Sequence, residues 1–208
     1  MNVKLILFDL METVVADPFE RVLPGRAGES IETLLSWHSS SSWVAFEEGL
    51  LDESGYMTRM FQAPGVASYS EEEFREWMLS GYQFRSGMES LLGRWKRKGI
   101  QMSVASNYPC WWRVVRDQLG LNRFFGQYFV SCEFGVRKPD PEYFRKILSE
   151  THLKPDQVVF VDDRKENVLA AEQLGILGIR FRSAEQLEKD LEFTVSSPQN
   201  SGMNLKVD

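Results

Sequence analysis

The chain has 208 residues, 43% hydrophobic and 26% charged, which is enough for one globular domain or for a domain carrying an insert. A formal net charge of -6 argues against nucleic acid as a partner, because a phosphate backbone calls for a basic face. No apolar run is long enough to span a bilayer, so no membrane partner is expected, and the two cysteines, Cys110 and Cys132, fit neither a metal spacing nor a disulfide framework.

The first element is the apolar run Leu5-Ile6-Leu7-Phe8, too short for a helix and closed by Asp9, which reads as a strand buried on both faces. No signal or transit pattern precedes it. The expected location is therefore cytoplasmic, or the plastid stroma if a leader has been removed.

From Asp17-Pro18 the pattern turns helical. Ile31, Leu34, Leu35 and His38 keep helical spacing up to the serines at 39–42, which are expected to break the helix. A helix restarts from Trp43 to Glu48, another runs from Asp52 to Phe61, and Ser70 with Glu73 makes a capping box for a helix ending at Gly81. With no strand pattern between them, residues 17–81 are expected to form a small all-helical unit.

Strand–helix alternation then resumes. The expected order is a helix on Met88, Leu91, Leu92 and Trp95, a strand over Ile100–Ala105 ending in Ser106-Asn107, a helix over 109–120, and a short strand from Tyr128 to Ser131. The loop Gly135 to Pro139 leads to a helix capped by Asp140 with Pro141 in its first turn. Val158–Val161 is a strand closed by Asp162-Asp163, followed by a helix, a strand over Leu177–Phe181 and a last helix capped by Ser183 and Gln186. The fold expected is α/β, a Rossmann-like parallel core of residues 1–16 and 82–195 interrupted by a helical cap at 17–81, with a disordered tail over 196–208.

In a parallel sheet the strand ends point one way, so Asp9, Ser106 and the pair Asp162-Asp163 collect at one edge. Two carboxylates, Asp9 and Asp163, suit Mg²⁺, which takes one or two carboxylates beside water and phosphate oxygens. Ser106 and Lys138 can hold phosphoryl oxygens, and an Asp at such a site can attack phosphorus to form an aspartyl-phosphate.

These residues resemble the four motifs of the haloacid dehalogenase (HAD) superfamily. The first is Phe8-Asp9-Leu10-Met11-Glu12-Thr13, the second Val104-Ala105-Ser106-Asn107, the third Lys138-Pro139-Asp140-Pro141 and the fourth Val161-Asp162-Asp163-Arg164-Lys165-Glu166-Asn167. The resemblance implies that Asp9 is the nucleophile and a metal ligand, joined by Asp163 and the main-chain carbonyl of Met11. It gives Ser106, Asn107 and Lys138 the phosphate, assigns Asp162 and Asn167 to orienting the metal's waters, and makes the helical segment a substrate-selecting cap.

One position departs from the pattern. Family phosphatases carry a second Asp two residues after the nucleophile, as the acid and base for the leaving group and the attacking water; here Met11 stands there. Loss of that acid–base step costs about 10²- to 10⁴-fold in rate, and the adjacent Glu12 is the nearest substitute. Three readings stay open: a magnesium-dependent hydrolase of a small organic phosphate, a weak or inactive metal- and phosphate-binding module, and a 2-haloacid dehalogenase. A closer resemblance, over residues 9–19, Phe46-Glu47-Glu48-Gly49, Ser80-Gly81-Tyr82 and Asn107-Tyr108-Pro109, is to the plant plastid FMN hydrolase branch and implies FMN as the ester. Trp37, Trp43, Phe46, Tyr56, Phe61, Trp77 and Tyr82 are the aromatics from which a flat ring could take a stacking partner.

Overall fold

A computed structural model describes residues 3–37, 40–62 and 70–196. The first strand, β1 (Leu5–Phe8), is buried at all four positions. A tight turn carries the chain into β2 (Val15–Ala16), where the N–H groups of Val14 and Val15 both reach back to the carbonyl of Leu10, at 3.0 and 2.8 Å.

Helices then follow one another: α1 (Pro18–Arg21), α2 (Leu23–Ala27), α3 (Ile31–Trp37), α4 (Ser40–Glu47), α5 (Glu53–Phe61) and α6 (Glu71–Ser80). Asp17 caps α1 and Asp52 caps α5 through their side chains, and the Ser70–Glu73 capping box opens α6 as the spacing predicts. The start of α4 differs from expectation: Ser40, Ser41 and Ser42 lie inside the helix. Serine costs only a few tenths of a kcal/mol in a helix interior, and aromatic packing after Trp43 outweighs it. His38, Ser39 and the Pro64-Gly65 stop lie outside the described residues.

After α6 the chain forms β3 (Gln83–Phe84), antiparallel to β2 with Val15 opposite Phe84. This two-stranded ribbon brackets the helical segment at its entry and exit. Strands of two residues show no alternation, so periodicity could not reveal it.

The rest alternates: α7 (Met88–Arg97), β4 (Gln101–Ser106), α8 (Trp112–Gln118), β5 (Gln127–Val130), α9 (Ser131–Phe134), α10 (Pro141–Thr151), β6 (Val158–Asp162), α11 (Lys165–Glu172), β7 (Leu177–Arg180) and α12 (Ala184–Ser196). Two boundaries move. The helix expected from 109 starts at Trp112, since 109–111 form a turn closed by the Trp112 N–H on the Pro109 carbonyl, and Ser131 opens α9 instead of ending β5. Residues 197–208, expected to be disordered, lie outside the described residues.

The sheet order is β5-β4-β1-β6-β7, parallel throughout. Successive side chains of a strand face opposite ways. Ile6 and Phe8 accordingly join Met88, Leu91, Trp95 and Leu187 on one face, while Leu5 and Leu7 join Tyr143, Phe144, Ile147 and Ala171 on the other. Both faces being covered, the chain exposes its chemistry only at the strand ends.

Candidate active site

Register decides what meets at the carboxyl edge. Phe8 pairs with Val104 on one side and Val161 on the other, so the next residue, Asp9, emerges between Ala105-Ser106 and Asp162. The Asp9 N–H still belongs to the sheet, donating to the Val161 carbonyl at 2.8 Å, which fixes the root of the side chain.

Lys138 enters from the loop between α9 and α10. Its ammonium donates to Asp9 Oδ1, Asp162 Oδ2 and the Ala105 carbonyl, each at 2.7 Å. Those three bonds use all three of its donors. The side chain is 1% exposed, and a cation so deeply buried needs this satisfaction to stay charged. Burial by itself would lower its pKa; Asp162 and Asp9 outweigh burial and raise it.

The carboxylates divide the work. Both oxygens of Asp162 accept from Asn167 Nδ2, at 3.1 and 3.0 Å, and Oδ1 also accepts the Arg164 N–H at 2.8 Å. Asp162 is thus fully committed to Lys138, Asn167 and the main chain. Asp9 uses Oδ1 on Lys138, and its Oδ2 accepts no hydrogen bond among the described residues. Burial pushes the Asp9 carboxyl up to about 7; Lys138 opposes the rise, and Asp162 and Asp163 add to it. Half-buried Asp163 is also raised, by burial and then by Asp162. Asp9, Asp162 and Asp163 each present an oxygen within 4.8 Å of the others.

That donor set fits magnesium. It is all oxygen, which suits a hard cation. With Asp162 committed elsewhere, Asp9 and Asp163 are the carboxylates of the cluster that could hold such an ion. Ser106 supplies a second unfilled valence: it is wholly buried and its hydroxyl finds no partner, a costly arrangement unless a ligand completes it.

Two of the residues expected at the site are engaged differently. The Asn107 amide grips the Lys138 main chain, donating to its carbonyl and accepting its N–H, both at 2.8 Å. Both ends of that amide hold the lysine loop, and the second N–H of Nδ2 is not used in those two bonds. Glu12, with a left-handed backbone (φ 56°), accepts the Asp17 N–H at 2.8 Å and pairs with Arg85, so its carboxylate braces the β2–β3 ribbon. Met11 is half-buried against the hydrophobic core. The Ala105 carbonyl and the Arg164 N–H went unforeseen because main-chain groups leave no signature in a sequence.

The aromatics of the helical segment largely pack on one another. Phe46 stacks on Tyr56 with ring centroids 4.7 Å apart, Tyr82 shares a hydrogen bond of 2.7 Å with Tyr108, and all four residues are buried. Trp43, Phe61 and Trp77 are partly buried against the same core. The side chain of Trp37 lies outside the described residues.

The structure thus gathers an aspartate, a buried lysine, an unpartnered hydroxyl and an acidic pair at the carboxyl edge of a doubly covered parallel sheet, the arrangement of an α/β protein whose ligand site lies at its strand ends. The chain belongs to the haloacid dehalogenase-like hydrolase family, whose model matches residues 3–175. It is 35% identical to flavin mononucleotide hydrolase 1 of Arabidopsis thaliana, named as chloroplastic, over 90% of this chain and 76% of that protein. It is 29% identical to a glyceraldehyde 3-phosphate phosphatase of Pyrococcus furiosus over 63% of this chain and 53% of that one. Among solved structures, a HAD family enzyme of Bacteroides thetaiotaomicron in complex with magnesium and inorganic phosphate superposes with a TM-score of 0.69 at 19% identity, over 87% of this chain and 95% of that one. The chain is a HAD-family hydrolase with phosphatase relatives, and no described helix is long and apolar enough to cross a membrane.

Proposed function

We propose that the protein is a magnesium-dependent phosphomonoester hydrolase in which Asp9 is the nucleophile, residues 17–81 form a cap over a core of 1–16 and 82–195, and FMN is the first ester to test. One observation carries this reading: Asp9 is anchored through a single oxygen by a buried lysine, while it clusters with Asp163 and the neighbouring strand ends in a buried serine whose hydroxyl has no hydrogen-bond partner. An ordinary structural ion pair would satisfy every group it buries.

Asp9 Oδ2 attacks phosphorus, the ester oxygen departs with the bonding pair, and the phosphoryl group rests on Asp9 until water releases it. Lys138 offsets the charge gathered by Asp9 and Asp162, while the Ser106 hydroxyl donates to a phosphoryl oxygen. Asp162 and Asn167 keep Lys138 in line, and Asn107 fixes its loop from behind. Asp9, Asp163 and the Met11 carbonyl would hold magnesium, which when bound would supply Lewis-acid neutralisation of the phosphoryl charge. The leaving oxygen of an alkyl ester needs a proton that Met11 cannot give. Glu12 is tied to Arg85, so the reading expects slow turnover, fastest on esters with acidic leaving alcohols.

FMN rests on the Arabidopsis relative and on the segments shared with its branch. Phe46, Tyr56 and Tyr82 are buried, while Trp43, Phe61 and Trp77 are among the partly buried rings of the described cap residues that could meet an isoalloxazine. The test is phosphate release from a panel of metabolite monophosphates, FMN included, with and without Mg²⁺, for the parent and Asp9→Asn. The reading requires magnesium-dependent release that Asp9→Asn abolishes. Activity surviving in Asp9→Asn would contradict it, and phosphate binding without release would favour a non-hydrolytic module.

A further inference from the structure

The segment Phe46-Glu47-Glu48-Gly49 is the point where the helical segment is fastened to the loops of the site. Glu47 ends α4 and is 6% exposed. Its Oε2 lies 2.8 Å from Arg137 Nη2, and its Oε1 accepts the Trp43 indole N–H at 2.8 Å. Its main-chain carbonyl takes the Ser131 hydroxyl proton, and Ser131 Oγ in turn accepts the Tyr108 N–H at 3.1 Å. One residue of α4 therefore touches the start of α9 and the loop that delivers Lys138, and through Ser131 it is linked to the loop after β4.

Gly49 shows how close this seam is. A Cβ there would lie 2.3 Å from the Cys132 carbonyl oxygen, and the backbone has φ +71°, a conformation glycine adopts without strain. Phe46 adds an edge-on contact with Trp111 at 5.2 Å between centroids. At its two ends the helical segment is bracketed by the two-residue ribbon β2–β3, with Val15 opposite Phe84.

We infer that Glu47 is a positioning residue for the hydrolysis proposed above, acting through Arg137 to hold the 135–139 loop, and with it Lys138, against Asp9. Arg137 precedes Lys138 directly, and the Lys138 main chain is already gripped by Asn107 from the far side. The loop is thus clamped between the Asn107 amide, just after β4, and an α4 carboxylate. Releasing one jaw lets the ammonium drift from the phosphoryl site, and a displacement of about 1 Å can cost about 10²-fold in rate.

The inference rests on the proposed function, so its test has a readout that needs no turnover. Glu47→Gln keeps the size of the side chain and an acceptor for Trp43 but removes the charge that faces Arg137. Glu47→Gln, Arg137→Gln and the double variant are compared with the parent by kcat and KM on the best ester, by thermal melting and by hydrogen exchange of residues 135–140. Each single variant is expected to lose about 10- to 10²-fold in kcat with little change in KM, and the double variant no more than the worse single, because both remove the same tie. Exchange at 135–140 should quicken in all three. Arg137→Lys, which keeps the charge but not the planar fork, should recover part of the loss. Parental kcat in Glu47→Gln, losses that multiply in the double variant, or a loss that merely follows a lowered melting temperature would overturn the inference. If the parent releases no phosphate from any ester, the proposed function fails; quickened exchange in Glu47→Gln would then still uphold the clamp, and unchanged exchange would end it.

Discussion

Lys138 is the residue on which the site's electrostatics turn. It is buried with three acceptors, two of them carboxylates, and removing one leaves a desolvated charge without its partner. Asp162→Ala is therefore expected to destabilise the fold by about 3–5 kcal/mol in urea unfolding, the range for breaking a buried pair from one side. A cost below about 1 kcal/mol would show the cluster to be solvated. At Met11 the expectation runs the other way: Met11→Asp puts an acid where the family's phosphatases carry one, and kcat on an alkyl phosphate should rise by about 10² or more. An unchanged or lower kcat would show that another group already moves that proton. Asp9, Ser106 and the Asp162-Asp163 pair were legible because each stands at a strand end in the residue order, and Lys138 because it opens the Lys138-Pro139-Asp140-Pro141 motif before α10. The use of Asn107 on the Lys138 main chain was not, since it depends on where a loop thirty positions later returns. Nor was the capture of Glu12 by Arg85, which hinges on a ribbon invisible to periodicity.

At the scale of elements, the core strands could be read because burial on both faces leaves short unbroken apolar runs, and the helices because their caps are local chemistry. What the chain order could not show is where helix α4 lands. Its end brings Glu47 against Arg137, with Arg164 and Lys138 as the further cations that face it. Burial pushes the Glu47 carboxyl up to about 7, with Arg137 and the Trp43 indole opposing the rise. Below about pH 4.5 the group is protonated whether folded or unfolded. Between there and 7 the folded chain keeps a proton that the unfolded chain releases, so stability falls as pH rises through that window. The contribution is at most about 3 kcal/mol. Glu47→Gln should remove it, so the variant gains stability relative to the parent between pH 5 and pH 8. A constant difference between the two over that range would mean the carboxyl titrates in its ordinary place.

For the whole molecule, four segments spread from Asp9 to Asp163 assemble one charged edge because every strand of the sheet runs the same way. The alternation of strands and helices made that topology legible. The composition of residues 17–81 made their helices legible but pointed to no particular ligand, because aromatics pack on one another as readily as on a ligand. A cation bound only by the folded state stabilises it by mass action, about 2.7 kcal/mol at one hundred times its dissociation constant. Magnesium should accordingly raise the melting temperature and chelation should lower it, and Asp163→Asn should blunt that response; an equal response in the variant would place the ion elsewhere. The most direct measurement is a crystal structure grown with magnesium and beryllofluoride. The account predicts the fluoroberyllate bonded to Asp9 Oδ2, within reach of Ser106 Oγ and Lys138 Nζ, with the cation shared between Asp9 and Asp163. A cation seated away from both carboxylates, or fluoroberyllate on any other residue, would contradict it.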